Sequence, residues 1–135
     1  MKAVFADSFY YLAIVNADDA AHKKAVKLSE ELRGPIVTTA WVLTEVADAL
    51  AAPAQRSSFL ALLDTLRTDP EVTILPPDEE LFEAGIDLYS RRQDKEWSLT
   101  DCISFRAMEH LGLDEALTGD HHFEQAGFKA AFRSQ

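Results

Sequence analysis

The sequence predicts an α/β domain built on a parallel β-sheet. Short segments rich in apolar and β-branched residues alternate with longer amphipathic segments of helical spacing, and this alternation runs along the chain. A chain of 135 residues is long enough for one domain and short for two. We therefore expect a single domain over residues 1–135.

Five short segments predict strands. Most are runs of apolar or β-branched residues, and turn-forming residues separate them from the helices. In chain order the predicted strands lie over residues 2–6, 36–38, 72–75, 115–117 and 128–132. The second strand follows the turn at Gly34-Pro35, the third ends before Pro76-Pro77, and the last is predicted to be an edge strand.

Seven segments between these strands predict helices because their apolar residues recur at helical spacing. They lie over residues 8–16, 20–32, 40–52, 57–68, 78–92, 98–110 and 121–126. The residues at their ends support these boundaries. Thr39, Asp78 and Ser98 are suited to cap helix N-termini, whereas Pro53 and Gly112 are suited to end helices.

The composition excludes several classes of protein. The chain carries 23 acidic and 13 basic residues, a net charge of −10, whereas a general electrostatic binder of nucleic acid is basic. One cysteine allows neither an intrachain disulfide nor a cysteine-based zinc site. The sequence contains neither an apolar run of membrane-spanning length nor a signal-peptide cleavage pattern, so we expect a cytoplasmic protein.

Two aspartates follow predicted strands directly. Asp7 comes after the first strand and Asp120 after the fourth. Ligand sites of open parallel sheets lie beyond the carboxyl ends of the strands, so both side chains are candidates for such a site. The alternative is structural, because aspartate is also a favoured N-cap that accepts hydrogen bonds from the first helical turn.

Two further acids lie within predicted helices. Asp101 follows Ser98 by three residues, which matches a capping box and by itself favours a structural role. Glu45 lies at the border of the apolar stripe that Val42 and Val46 form. A carboxylate at the border of a buried face is costly unless it is paired or binds a metal, although a solvated flanking glutamate is the alternative.

The four acids suggest a shared purpose when they are considered together. Asp7, Glu45, Asp101 and Asp120 could all point into one cleft above the sheet, and no lysine or arginine is adjacent to any of them in sequence. Such carboxylates would repel one another, and Mg²⁺ or Mn²⁺ prefers oxygen ligands of this kind. A cation held there can activate water and bind phosphate.

Four motifs resemble those of the PIN-domain nucleases, and in particular the small VapC-type ribonucleases of bacterial toxin–antitoxin pairs. The motifs span nearly the whole chain in the family's order: VFADS at 4–8, TTAWVLTEV at 38–46, WSLTDCISF at 97–105 and ALTGDHHFEQAGF at 116–128. The resemblance implies one PIN-like three-layer α/β/α domain with a central parallel sheet of about five strands. It also implies hydrolysis of RNA phosphodiester bonds that depends on Mg²⁺ or Mn²⁺.

The resemblance also implies roles for the four acids. Asp7 and Asp101 look like the principal metal ligands. Glu45 looks like the acid that completes the ligand set or orients the attacking water, and Asp120 looks like the fourth acid, often ligating through water. The sequence thus predicts all four as metal-binding catalytic residues.

Supporting residues and partners follow from the same resemblance. Ser8 and Thr118 occupy positions where family members carry a hydroxyl or an amide near the metal. VapC-like proteins are commonly homodimers bound to a cognate antitoxin, so both partners are expected here. His121 and His122 could act as a metal ligand or a leaving-group acid, but the sequence favours a polar start of a short helix.

A basic cluster precedes the helix that carries Asp101. Arg91, Arg92 and Lys95 could contact RNA phosphates, with Trp97 or Tyr11 stacking on a base. The alternative is a solvated helix face, and the cluster could equally serve a protein partner.

Other functions remain open at this point. The chain could be a PIN nuclease of RNA processing without an antitoxin, or a catalytically silent module that binds RNA or protein. A phosphoryl-signalling receiver domain is disfavoured. That class needs an acidic pair after the first strand and a phosphorylatable aspartate after a middle strand, whereas this chain has Asp7 alone and Pro76-Pro77.

Overall fold

The computed structural model describes residues 2–133, and within this range five strands form one sheet. The strands are β1 (Val4–Ala6), β2 (Ile36–Thr39), β3 (Val72–Leu75), β4 (Glu115–Leu117) and β5 (Lys129–Ala130). They are arranged in the order β3-β2-β1-β4-β5, and every neighbouring pair is parallel. The predicted α/β class and the parallel five-stranded sheet are therefore confirmed.

The described part of the chain contains seven α-helices, which flank the sheet. They are α1 (Ser8–Val15), α2 (His22–Glu31), α3 (Ala40–Ala49), α4 (Arg56–Thr68), α5 (Glu79–Arg91), α6 (Leu99–Leu111) and α7 (His121–Gln125). The predicted caps are confirmed at three N-termini, because Thr39, Asp78 and Ser98 each accept a hydrogen bond from a backbone amide of the helix they precede. Within residues 2–133 we find no helix with the length and apolarity that crossing a bilayer requires.

Several predicted boundaries differ from the structure. The first strand begins at Val4 rather than at residue 2, and the second helix begins at His22 rather than at residue 20. Two larger differences are at the third helix and the last strand. The third helix ends at Ala49 rather than near residue 52, because Pro53 favours an extended conformation at Ala52 and begins a short 3₁₀ turn. The last strand covers only Lys129–Ala130 rather than 128–132. After it the chain turns inward as a 3₁₀ helix, where the amide of Phe132 donates to the carbonyl of Thr118.

The core lies between the sheet and its helices. Phe5 of β1, Val46 of α3, Phe105 of α6 and Leu117 of β4 are all buried in one apolar cluster. β1 and β4 are parallel neighbours near the middle of the sheet, so both strands end at the same carboxyl edge. In the register of this pair Ala6 lies opposite Leu117, which brings the next residues of the two strands side by side.

Candidate acidic active site

Asp7 and Thr118 meet where β1 and β4 end. The Thr118 hydroxyl Oγ1 donates to Asp7 Oδ2 at 2.9 Å, and both residues are buried, Asp7 with only 4% of its surface exposed. Asp7 occupies the N-cap position of α1 but makes no side-chain capping hydrogen bond. The capping bond that the structural alternative requires is therefore absent, and the carboxylate lies at the edge of the sheet beside Thr118.

Glu45 reaches the same edge from α3. It is half-buried, and its Oε1 accepts a hydrogen bond from the Ser8 hydroxyl at the start of α1. Thr39 caps α3 through the amide of Val42, which fixes where this helix leaves the sheet. The Ser8 contact therefore ties Glu45 to the residue directly after Asp7.

Asp101 enters the site from the first turn of α6. Its amide donates to Ser98 Oγ at 3.0 Å, and its Oδ2 accepts from the Ser98 amide at 3.2 Å, so the predicted capping box is confirmed. The same Oδ2 lies 3.2 Å from His122 Nδ1. The capping role and the place in the cluster are thus compatible, because one carboxylate serves both.

Asp120 joins the cluster from the segment between β4 and α7. Its Oδ1 accepts from the amide of His122 at 2.9 Å, which caps the short helix α7, and its own amide donates to Thr118 Oγ1 at 3.1 Å. Thr118 is therefore hydrogen-bonded to both Asp7 and Asp120. The capping alternative is confirmed for Asp120, but the residue also belongs to the cluster.

The sequence interpretation set His122 aside as part of a polar helix start, but the structure brings it into contact with the acidic cluster. His121 begins α7 and is exposed, as predicted. His122 is half-buried, with Nδ1 3.2 Å from Asp101 Oδ2 and 3.3 Å from Asp120 Oδ1. The ligand atoms of Asp120, His121 and His122 all lie within 4.8 Å of one another. The only signal in the sequence was the position of His122 two residues after Asp120.

Burial dominates the electrostatics of the cluster. It raises the pKa of Asp7 to about 7; the hydrogen bond from Thr118 opposes this shift, and the charges of Asp101 and Glu45 add to it. Burial is also the main cause that raises the pKa of Glu45 and of Asp101, and the nearby carboxylate of Asp120 raises both further. These mutual repulsions indicate that the four carboxylates lie within electrostatic range of one another.

The cluster lacks the usual counter-charges. In the described range, Asp101 and Asp120 pair only with histidines, and neither Asp7 nor Glu45 forms an ion pair with a lysine or arginine. Buried carboxylates without cationic partners are costly. Carboxylate oxygens that converge without a cationic side chain form a donor set that suits a hard divalent cation.

The predicted RNA-contacting cations lie outside this cluster. Arg91 pairs with Asp87 at 3.0 Å, and Arg92 pairs with Asp94 at 3.0 Å. Lys95 is half-buried in the loop that follows α5. Two of the three charges thus have acidic partners within the chain, and their contact with RNA stays a prediction.

The predicted stacking of Trp97 or Tyr11 on a base is wrong. Only 5% of the surface of Trp97 and 2% of that of Tyr11 are exposed. The Trp97 ring packs edge-on against Phe105 with centroids 5.0 Å apart, and its Nε1 donates to Gln125. Both rings belong to the core and cannot receive a nucleobase without unfolding their surroundings.

Comparisons with known proteins agree with this geometry. The profile of the PIN-domain family matches residues 4–129. The 23S rRNA-specific endonuclease VapC20 of Mycobacterium tuberculosis is 27% identical over 125 residues, which cover 93% of this chain and 95% of the relative.

Solved structures show the same architecture. The crystal structure of M. tuberculosis VapC20, described as a sarcin-ricin loop cleaving toxin, superposes with a TM-score of 0.85 at 26% identity, covering 93% of this chain and 95% of that one. FitAcB from Neisseria gonorrhoeae superposes with a TM-score of 0.66 at 19% identity, with 94% of both chains covered, which supports the fold alone.

Proposed function

The chain belongs to the PIN-domain family, and from this membership we propose that it is an endoribonuclease that depends on a bound divalent cation. The observation that carries the proposal is the convergence of Asp7, Glu45, Asp101 and Asp120 at the carboxyl edge of the sheet, where they have no lysine or arginine partner among the described residues. This arrangement costs stability unless a cation neutralises it.

Asp7 and Asp101 are proposed as the main ligands of Mg²⁺ or Mn²⁺, because they are the two most buried acids of the cluster. Glu45 and Asp120 complete the ligand set or orient water. A divalent cation bound there lowers the pKa of a coordinated water and offsets negative charge on the phosphate oxygens.

The surrounding residues hold these carboxylates in place. Thr118 fixes Asp7 and the backbone of Asp120, and Ser8 fixes Glu45. His122 lies between Asp101 and Asp120 and draws the two carboxylates together. Groups of this kind set the orientation of metal-binding side chains and thereby the affinity for the metal.

The substrate is proposed from the relatives. VapC20 is named as specific for 23S rRNA, so a structured loop of large-subunit ribosomal RNA is the first substrate to test. With a net charge of −10, the chain should have weak general affinity for RNA and rely on local contacts. Arg91, Arg92 and Lys95 remain proposed contacts to phosphate.

The partners are proposed on the same basis. We expect the chain to be the toxin of a toxin–antitoxin pair, with a cognate antitoxin, a homodimeric state and a cytoplasmic location. The structural likeness to FitAcB supports the fold alone and not these partners. Copurification with the product of an adjacent gene tests the antitoxin, and a mass measurement in solution tests the dimer.

Cleavage of RNA by the purified chain tests the proposed activity directly. Total RNA and a 23S rRNA fragment are incubated with Mn²⁺ or Mg²⁺ and, in parallel, with excess EDTA. Discrete cleavage products are expected only in the samples with Mn²⁺ or Mg²⁺. The Asp101→Asn variant is expected to form none of these products. Equal cleavage in EDTA and in Mn²⁺ would overturn the metal-dependent reaction.

A further inference from the structure

We propose that Phe9 is a stacking platform for a nucleobase of the substrate, directly beside the acidic cluster. This inference rests on the proposed function, because it supplies that site with a contact to RNA that does not depend on charge. The ligand it would take is an unpaired base of single-stranded or looped RNA. The argument depends on where the Phe9 ring lies, how it is held and how much of it is exposed.

The position of Phe9 places its ring at the rim of the site. The residue lies in the first turn of α1, immediately after Asp7 and Ser8. A Cβ atom built on Gly119 would lie 2.5 Å from Phe9 Cζ, so the tip of the ring rests against the Gly119 backbone. Gly119 joins Thr118 to Asp120. The ring therefore contacts the segment that carries Asp120. Phe9 itself follows Asp7 by two residues in the sequence.

The ring is both exposed and held in place. Phe9 has 36% of its surface accessible to solvent, whereas Trp97 and Tyr11 are buried. Its ring packs against that of Phe132 at a centroid distance of 5.0 Å and an interplanar angle of 72°. An edge-on contact of this kind fixes the orientation of the ring, so that little conformational freedom remains to be lost when a base stacks on it.

The charge of the chain favours a base over a phosphate as the group that is recognised here. Proteins that bind single-stranded nucleic acid usually combine a cationic groove with aromatic stacking. The protein carries a net charge of −10 and concentrates acids beside Phe9. The side chains at this rim therefore offer little attraction for phosphate, whereas stacking on a base needs no positive charge. Bases of RNA loops are commonly splayed out and stacked on aromatic side chains.

The test compares variants that differ in the ring but keep the fold. Phe9→Leu removes the aromatic face and retains apolar cover over Gly119, while Phe9→Tyr retains the ring. Gly119→Ala leaves Phe9 intact but displaces its ring tip, because the added methyl group would occupy the same space. Phe82→Leu is the matched control. Phe82 is equally exposed, at 37%, and lies on α5, which carries none of the cluster acids.

Two readouts report stacking separately from folding. One is the fluorescence of a 2-aminopurine base in a single-stranded RNA probe, measured with Ca²⁺ in place of Mn²⁺ and with the probe checked for integrity. The other is the KM and kcat of cleavage with Mn²⁺. Thermal unfolding of each variant confirms that it is folded under the assay conditions.

The proposal predicts that the wild type quenches the probe. Phe9→Leu and Gly119→Ala should each lose the quenching and raise KM by about tenfold, with kcat little changed. Phe9→Tyr and Phe82→Leu should behave as the wild type does. Wild-type quenching and KM in Phe9→Leu would overturn the proposal. A loss of affinity for a copurifying protein without any change toward RNA would also overturn it.

The two proposals fail in distinguishable ways. Quenching that depends on Phe9, without cleavage in Mn²⁺, would refute the nuclease and support the stacking platform. Cleavage in Mn²⁺ with no dependence on Phe9 would support the nuclease and refute the platform.

Discussion

Two groups of acidic residues in this protein have opposite surroundings. On the hairpin of α5 and α6, Asp87 pairs with Arg91 at 3.0 Å and with Arg106 at 3.4 Å, and all of these groups are at least partly exposed. The Arg92 guanidinium beside Asp94 lowers the pKa of that carboxyl. At the edge of the sheet, burial raises the pKa of Asp7 to about 7.

The difference separates acids that form exposed ion pairs from acids that are buried close to one another. Exposed ion pairs contribute little to stability, and their loss is tolerated. Buried carboxylates that repel one another destabilise the fold, so their presence needs another cause. The hydroxyl and imidazole groups of Thr118, Ser8 and His122 orient the buried acids without neutralising them. A divalent cation would provide that neutralisation.

The largest effect is expected from changing an acid of the cluster. Asp101→Asn should lower the rate of RNA cleavage by about 1,000-fold, because the cation supplies several kcal/mol of transition-state stabilisation. The rate is measured with saturating Mn²⁺ on one RNA substrate. Asp87→Asn, the matched change on the hairpin, should leave it unaltered. An equal loss of cleavage rate in both variants would show that the buried and the exposed acids do not differ in their effect on catalysis.

The next effect concerns stability and its dependence on pH. The pKa of Asp7 in the folded chain, about 7, lies above the ordinary value of 3.8, so the folded state binds this proton more tightly than the unfolded state. The stability of the metal-free protein should therefore fall as the pH rises from about 4 to about 7. Each pKa unit corresponds to about 1.4 kcal/mol, which makes the full penalty roughly 4 kcal/mol at most.

Asp7→Asn should remove this penalty. At pH 8 without metal, the variant should unfold several degrees higher than the wild type, while its cleavage activity is lost. Its stability should also depend less on pH between 4 and 7. Calorimetric melting across that range makes the comparison. A lower melting temperature for Asp7→Asn at pH 8 would mean that the charged carboxylate stabilises the fold.

A smaller effect is expected from the group that orients Asp7. Thr118→Val keeps the volume of the side chain but removes the hydroxyl that donates to Asp7 Oδ2. The affinity for Mn²⁺ should fall by about 10- to 100-fold, as is usual for groups that hold a metal ligand. Thr44→Val on the exposed side of α3 is the control, since its hydroxyl bonds only the Ala40 carbonyl. Unchanged affinity in Thr118→Val would show that the Asp7 carboxylate is oriented without this bond.

The smallest effect belongs to the hairpin. Asp87→Asn breaks two exposed ion pairs and should change the free energy of unfolding by less than about 1 kcal/mol. Denaturant unfolding at low and at high salt measures it, and the difference should shrink as salt screens the pairs. A larger loss that persists in high salt would indicate that Asp87 supports the helical packing itself.

The sequence predicted the fold and the four acids because both depend on local patterns. Alternating strands and helices imply a parallel sheet, and the ends of parallel strands place Asp7 and Asp120 at one edge. The caps and turns that set the helix ends are also local, which is why the capping box of Ser98 and Asp101 was correctly predicted. These features need no knowledge of tertiary contacts.

The remaining features depend on how the elements pack. Asp101 and His122 are 21 positions apart in the sequence, and their contact exists only once α6 and α7 meet. Composition alone does not distinguish the buried ring of Trp97 from the exposed ring of Phe9, because the packing of the surrounding elements decides which aromatic is covered. The Asp7 carboxylate likewise accepts a hydrogen bond from Thr118, 111 positions away in the sequence, and makes no capping bond to its own helix.

Calorimetric titration of Mn²⁺ into the metal-free protein at pH 7.5 tests the central claim most directly. We expect binding by the wild type and by Asp87→Asn, and no comparable binding by Asp7→Asn or Asp101→Asn. Such a result would assign the cation to the buried cluster. Equal binding by all four proteins would place the cation on the surface acids and contradict the account.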